Sequence, residues 1–228
     1  MQAFAFNTSA AIVFGQGSSR DLMSHCQRRG ATSVLVVTDP LLVQLGLLEP
    51  ALAGFDASSI AVTVFDQVRE DPPVEVVESA VAIARSCNAD MVVGFGGGSS
   101  MDVAKLVALL ASPECQQTLP DIYGVDQAVG KRLPLIQVPT TAGTGSEVTA
   151  VSIVTTGKTT KSGVVSPLLL PDLAILDAEL TVGLPAAGTA ATGIDAMVHA
   201  IEAYTTAHKK NPLSDMLARE ALRLLAGS

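Results

Sequence analysis

Along the first two-thirds of the chain, short runs of β-branched residues alternate with stretches whose apolar positions recur at helical spacing. Residues 33–38 (SVLVVT) are the first such run, closed by Asp39-Pro40, and residues 41–53 then carry apolar side chains three and four apart, which predicts a strand followed by a helix. Residues 60–65 (IAVTVF) repeat the strand pattern and Asp71-Pro72-Pro73 supplies a turn. The next stretch, 74–87, places Val77, Ala80, Val81 and Ala84 on one helical face. Residues 91–95 (MVVGF) lead into Gly96-Gly97-Gly98-Ser99 and then into a helical stretch over 101–111. Strands are also predicted over 133–139 and 174–176, with an irregular strand pair, 148–154 and 158–165, around the turn Thr155-Thr156-Gly157-Lys158. The apolar N-terminus is expected to give a first strand or hairpin.

Continuous apolar strands separated by amphipathic helices suit a parallel sheet covered on both faces, because each crossover helix shields one face from water. The expected fold is therefore α/β, with a doubly wound, mostly parallel, Rossmann-like sheet over residues 1–185. After Pro185 the pattern changes. Residues 186–206 and 211–226 are rich in Ala, Leu, Met and Glu with no strand signal, so 186–228 reads as the beginning of an all-helical domain. Leu217, Ala221, Leu224 and Leu225 recur at helical spacing there, and this apolar face is expected to stay partly uncovered for want of a packing partner.

Composition narrows the function classes. Hydrophobic residues make up 48% of the 228, with mean hydropathy +0.43, which excludes a disordered chain. Every apolar run is broken well short of the ~18 residues a membrane span needs, and no basic residue precedes the N-terminal apolar stretch, so a cytoplasmic protein is expected. A net charge of −8 argues against a broad nucleic-acid or anionic-membrane surface. Cys26, Cys87 and Cys115 are odd in number and form no Cys-x-x-Cys pair, which argues against a disulfide framework or a zinc ribbon and fits free thiols in a reducing compartment.

Three sets of residues could carry chemistry. The first is the triple-glycine corner between a strand and a helix, where backbone N–H groups can approach a diphosphate without a Cβ in the way. It departs from the usual dinucleotide fingerprint: Gly94-Phe95-Gly96 would need glycine at position 99, where Ser99 stands, and Gly15-Gln16-Gly17 meets Arg20 likewise. A purely structural tight turn is the competing reading. The second is Asp39, just past a strand end, where a carboxylate can accept from a ribose hydroxyl and repel a 2′-phosphate, favouring NAD over NADP. An Asp-Pro turn that ends the strand explains it equally well. The third is Asp195 and His199, four apart on a predicted helix, which could bite one cation or form an ordinary surface pair. No Ser/His/Asp or Cys/His nucleophilic set is evident, so no catalytic residue is expected beyond a metal site.

Three strings occur in an order and spacing that resemble the iron-containing (group III) alcohol dehydrogenase family. They are Gly96-Gly97-Gly98-Ser99-Ser100-Met101-Asp102-Val103-Ala104-Lys105, the threonine-rich segment from Pro139 to Thr149, and the segment from Gly193 to Tyr204. The resemblance covers the whole chain as the family's N-terminal portion. It implies a dinucleotide-binding domain over 1–185 and the start of a metal-binding helical domain over 186–228. Gly96, Gly97, Gly98 and Ser99 would then serve the pyrophosphate, with Thr140, Thr141, Thr144 and Lys161 around the nucleotide and Asp102 near its nicotinamide end. Taken without the resemblance, the threonines read as loop residues satisfying local backbone and Lys161 as an exposed turn charge.

For the metal, the resemblance implies Asp195 and His199 as ligands of a divalent ion, iron first and zinc second, with Glu202 outside the ligand set and two further histidines on helices farther downstream. His25 and His208 match no family ligand and read as surface residues. With only two donors, the chain alone is expected to bind iron weakly. The family's Pro-Asn-Pro is replaced here by Asp71-Pro72-Pro73. The implied activity is hydride transfer between a small alcohol or aldehyde and NAD, with NADP less favoured, in a possible homodimer. The alternatives are a lyase similar to dehydroquinate synthase, using NAD transiently with a metal, and a nucleotide-binding module without catalysis.

Overall fold

Nine strands and seven α-helices follow one another in the computed structural model, which describes residues 3–157 and 159–227; Met1, Gln2, the predicted turn residue Lys158 and Ser228 lie outside the described residues. The strands are β1 Ile12–Phe14, β2 Ser33–Val37, β3 Ala61–Phe65, β4 Met91–Gly96, β5 Gly124–Val125, β6 Leu135–Pro139, β7 Val151–Thr155, β8 Lys161–Val165 and β9 Leu173–Leu176. The helices are α1 Leu22–Arg28, α2 Pro40–Gln44, α3 Glu49–Leu52, α4 Val74–Ser86, α5 Gly98–Leu110, α6 Ala186–Thr205 and α7 Pro212–Leu225.

Six strands form one sheet in the order β1-β9-β6-β4-β2-β3, and every pairing in it is parallel. The alternation in β2 shows why both faces must be covered. Leu35 and Val37 pack with Val77, Val103 and Leu106 from α4 and α5, while Val34 and Val36 pack with Leu22, Leu42 and Ala51 from α1, α2 and α3. The predicted irregular strand pair is an antiparallel β7–β8 hairpin, and with β5 it makes a separate three-stranded sheet. β7 starts at Val151 because Gly145, in the left-handed region (φ 63°), turns the chain into a single 3-10 turn over Ser146–Val148.

The predicted helix over 41–53 is two short helices. Gly46 takes a left-handed conformation (φ 68°) that ends α2, and Pro50, in the first turn of α3, suits a new start. The N-terminal apolar stretch yields one short edge strand, β1, paired to β9. α6 and α7 pack on each other. Ile194, Val198 and Ile201 of α6 and Met216, Leu217 and Leu224 of α7 are exposed, whereas Ala221 and Leu225 are half-buried, so the apolar face is only partly covered. No helix among the described residues is long and apolar enough to cross a membrane. All three cysteines are free, and burial pushes the Cys26 thiol up to about 12, leaving it unreactive near neutral pH.

The strand order positions the site. From β2 the chain moves outward to β3 and then returns to lay β4 on the other flank of β2, so the order reverses between β2 and β4. A crevice opens outside the carboxyl ends of strands at such a reversal. β2 delivers Asp39 to it and β4 delivers Gly96.

Candidate functional site

The corner after β4 has no room for a Cβ at Gly96 and little at Gly98. Gly96 has φ 151°, its carbonyl accepts from the Thr140 amide at 3.0 Å, and a Cβ there would lie 2.7 Å from Ser100 Oγ and 3.3 Å from Leu42 Cδ1. Gly97 is extended and N-caps α5 without any side-chain cap, so the first-turn amides are not claimed by a neighbouring side chain. At Gly98, an added Cβ would come within 2.9 Å of Thr144 Cγ2, so the threonine-rich loop lies against this turn. The same loop abuts α6: a Cβ on Gly143 would lie 2.7 Å from the Thr192 carbonyl oxygen.

A cavity of about 810 Å³ opens where these pieces meet. Gly98, Ser99, Asp102 and Thr144 line its floor, and Lys161 stands at another wall with Asp71. Asp195 and His199 reach it from α6. Seven of the twelve sequence-predicted residues thus face one space. Gly96 and Thr140 are buried, and Gly97 approaches Thr141. Asp39 lies apart from this cavity, on the neighbouring strand end. There its Oδ1 accepts from the Leu42 amide at 3.1 Å and caps α2.

Two predicted residues are already engaged. Lys161 Nζ pairs with Asp71 Oδ1 at 2.5 Å, on the solvent side of the cavity, and Asp71 itself takes a left-handed backbone (φ 51°) that aspartate tolerates. The Asp102 carboxylate accepts from Ser146 Oγ at 2.6 Å and from the Ile153 amide at 2.9 Å, so it ties α5 to the threonine-rich loop and to β7.

Lys105, Ser146 and Thr149 are parts of this site that residue-type reasoning passed over. Lys105 is fully buried, and its Nζ donates to the Val151 carbonyl at 2.6 Å, Ser146 Oγ at 2.7 Å and Thr149 Oγ1 at 3.2 Å, with Asp102 Oδ1 at 3.5 Å. Burial lowers its pKa, opposed by the adjacent Asp102 and Glu147, while burial raises that of Glu147. A signal existed: a lone cation inside the apolar run Val103-Ala104-Lys105-Leu106-Val107 must be paired if that helix is buried all round.

On α6, His199 Nε2 lies 3.5 Å from Asp195 Oδ1, one turn apart, with His199 exposed and Asp195 half-buried. No group of three or more His, Cys, Asp or Glu side chains arranged for a metal occurs among the described residues. Glu202 and His208 are exposed, and His25 is half-buried on α1 beside Arg28. Burial first, then Arg28 and Arg29, lowers the His25 pKa.

The sequence profile described as iron-containing alcohol dehydrogenase matches residues 9–178, and that of the Fe-containing alcohol dehydrogenase family C-terminal region matches residues 189–228. This chain belongs to the iron-containing alcohol dehydrogenase family. Among its relatives, it is 43% identical to long-chain-alcohol dehydrogenase 1 of Geobacillus thermodenitrificans over 96% of this chain and 57% of that protein. It is 34% identical to the sulfoacetaldehyde reductase of Bilophila wadsworthia, over 99% of this chain and 58% of that one. The fold matches a 1,3-propanediol oxidoreductase with a TM-score of 0.93 at 34% identity, over 99% of this chain and 59% of that chain. It also matches the sulfoacetaldehyde reductase of Bifidobacterium kashiwanohense in complex with NAD+, with a TM-score of 0.89 at 34% identity and the same coverage. The chain therefore spans a little over half the length of these family members, and their names point to different substrates.

Proposed function

We propose that this chain forms the nucleotide-binding part of an NAD-dependent alcohol dehydrogenase, which moves hydride between a small alcohol and the nicotinamide, and contributes two donors to its metal site. The observation that carries this is the single cavity onto which the uncapped α5 turn, Thr144 and the Asp195–His199 pair all open. Residues 1–185 are then the dinucleotide-binding domain and 186–228 the beginning of the helical metal-binding domain. Free cysteines fit the cytoplasm.

The residues fit a dinucleotide. Gly97 and Gly98 leave the α5 amides bare toward the cavity, and the helix N-terminus adds partial positive charge where a diphosphate would lie. Asp39, with one oxygen capping α2, retains its second for a ribose hydroxyl; its charge disfavours a 2′-phosphate. Asp195 and His199 fit one edge of a site for iron or, as second choice, zinc; two donors alone fall short of a stable, partly open coordination. When bound, the nicotinamide supplies the hydride acceptor, and a divalent ion on a completed donor set supplies Lewis acidity. The chain's own work is to hold the diphosphate, select the ribose and place α6 beside the reacting end.

Titrating the chain with NAD tests the proposal: saturable binding is expected, and its absence would sink it. In the full-length enzyme, net NADH formation from an alcohol separates a dehydrogenase from a lyase that returns NAD unchanged. Asp39→Gly should erase the preference for NAD over NADP, read as the ratio of the two dissociation constants. An unchanged ratio would reduce Asp39 to a helix cap.

Asp71→Asn should tighten NAD binding by about threefold at low salt, because an exposed ion pair worth ~0.2–1 kcal/mol no longer competes for Lys161. The gain should fade in high salt. A gain that persists there would point away from Lys161.

A further inference from the structure

We propose that Lys105 is a positioning residue for the cofactor: without touching the dinucleotide, its ammonium holds the threonine-rich loop against the first turn of α5 at the separation the diphosphate requires. The inference rests on the nucleotide assignment above.

Every hydrogen bond that Lys105 makes beyond α5 crosses to one short segment, reaching Ser146, Thr149 and Val151. Ser146 is the joint. Its hydroxyl accepts from Lys105 at 2.7 Å and donates to Asp102 at 2.6 Å, while its amide donates to Thr144 Oγ1 at 3.3 Å. Thr144 is in turn the residue that Gly98 approaches so closely that a Cβ there would lie 2.9 Å from its methyl. A continuous path thus runs from the buried ammonium through Ser146 and Thr144 to the wall of the phosphate turn.

Packing alone does not call for a cation here. The neighbours on α5, Val103, Ala104, Leu106 and Val107, are all buried, and an apolar side chain of similar length would fill the same space without a charge to desolvate. A buried ammonium needs directed partners, so it fixes the 146–151 segment at one position, whereas an apolar contact would let it slide. Asp102, one turn earlier on α5, binds Ser146 and the Ile153 amide from the same side, so two opposite charges clamp the loop to one helix.

The test uses the chain itself, by calorimetric titration with NAD, ADP and adenosine at a temperature where circular dichroism shows each variant fully folded. Lys105→Met is expected to weaken NAD and ADP by about tenfold, the loss of one directed charged contact at the cradle wall, with adenosine affinity unchanged because it carries no diphosphate. Thr149→Val should weaken NAD by about threefold, and Thr149→Ser, which keeps the hydroxyl, should match the parent. A residue that only stabilises the fold would lower the unfolding temperature and leave the affinities of the folded protein alone. NAD affinity within about twofold of the parent in folded Lys105→Met overturns the inference. If that variant does not fold, equal NAD affinities for Thr149→Val and Thr149→Ser overturn it instead. A parent chain that binds no NAD would instead defeat the nucleotide assignment itself.

Discussion

Gly98→Ala is expected to weaken NAD binding by about thirtyfold, roughly 2 kcal/mol, while leaving the chain folded. The added Cβ would stand 2.9 Å from Thr144 Cγ2 and 3.2 Å from its Oγ1. Thr144 is half-buried at the cavity wall, so its side chain can swing away from the new methyl, and the cost to the apo fold is offset in part by alanine's better helix propensity. Thr144 lines the cavity, so the space open to it includes that where the diphosphate would lie. The displaced threonine and the methyl then occupy the space into which the α5 amides point, and the penalty falls on binding. Gly97→Ala is the control, because a Cβ there meets Thr141 Oγ1 at 3.7 Å, an ordinary contact, and φ is −75°. NAD titrations of the two variants should therefore differ by about tenfold. Equal losses would mean that the close approach of Thr144 to Gly98 has no part in binding.

What the sequence disclosed and what it hid divide along sequence separation. β2, β4, β6 and α4 were legible because a fully buried strand or a one-faced helix writes its environment into consecutive residues. The β4 corner was legible because glycine suits the positive φ of Gly96 and the close approach of Thr144 to Gly98. The split of the helix predicted over 41–53 was not, since Leu41, Leu42, Leu47 and Leu48 keep helical spacing across Gly46 and one left-handed residue decides the matter. β5 is two residues long and exists only through β8, some 40 positions away, so no local pattern announces it. The same distance hid the network under the site. Asp102 reads as a free carboxylate beside a cofactor loop, yet its partners are Ser146 and Ile153, and Lys105 finds Ser146, Thr149 and Val151 across the same gap. Gly94 is a similar case: it sits inside a strand, where glycine is costly, because a Cβ would lie 2.0 Å from Gln137 Oε1 and 2.8 Å from Ala104 Cβ. Residue type suggested where to look, and long-range contacts set the geometry there.

Asp177→Asn should destabilise the fold by about 3 kcal/mol near neutral pH, and the deficit should shrink in acid. Asp177 follows β9 and is almost fully buried. Its carboxylate accepts from the Gly17 amide at 2.8 Å, the Ser19 amide at 3.0 Å, Ser19 Oγ at 2.6 Å and the Glu179 amide at 3.0 Å. These bonds anchor the turn after the short edge strand β1. An asparagine keeps one acceptor oxygen and turns an N–H pair toward donors, so at least one buried amide is left unpaired. Burial alone would raise the pKa of Asp177, but the Ser19 hydroxyl and the three amides outweigh it, and the folded value lies below the ordinary carboxylate range. For a group depressed in this way, the stabilisation is fully present above the unfolded pKa of about 3.9 and is lost as pH falls through the folded value. Asp172 adds a contribution of the same sign: against its own burial, Arg132, at 2.6 and 2.9 Å, and the Leu135 amide hold its pKa down. Urea unfolding of parent and variant at about pH 7 and about pH 3 checks this, with a wide gap in midpoint expected at the first and a narrower one at the second. A gap of equal size at both would show that the charge on Asp177 contributes nothing, and that the substitution acts through shape alone.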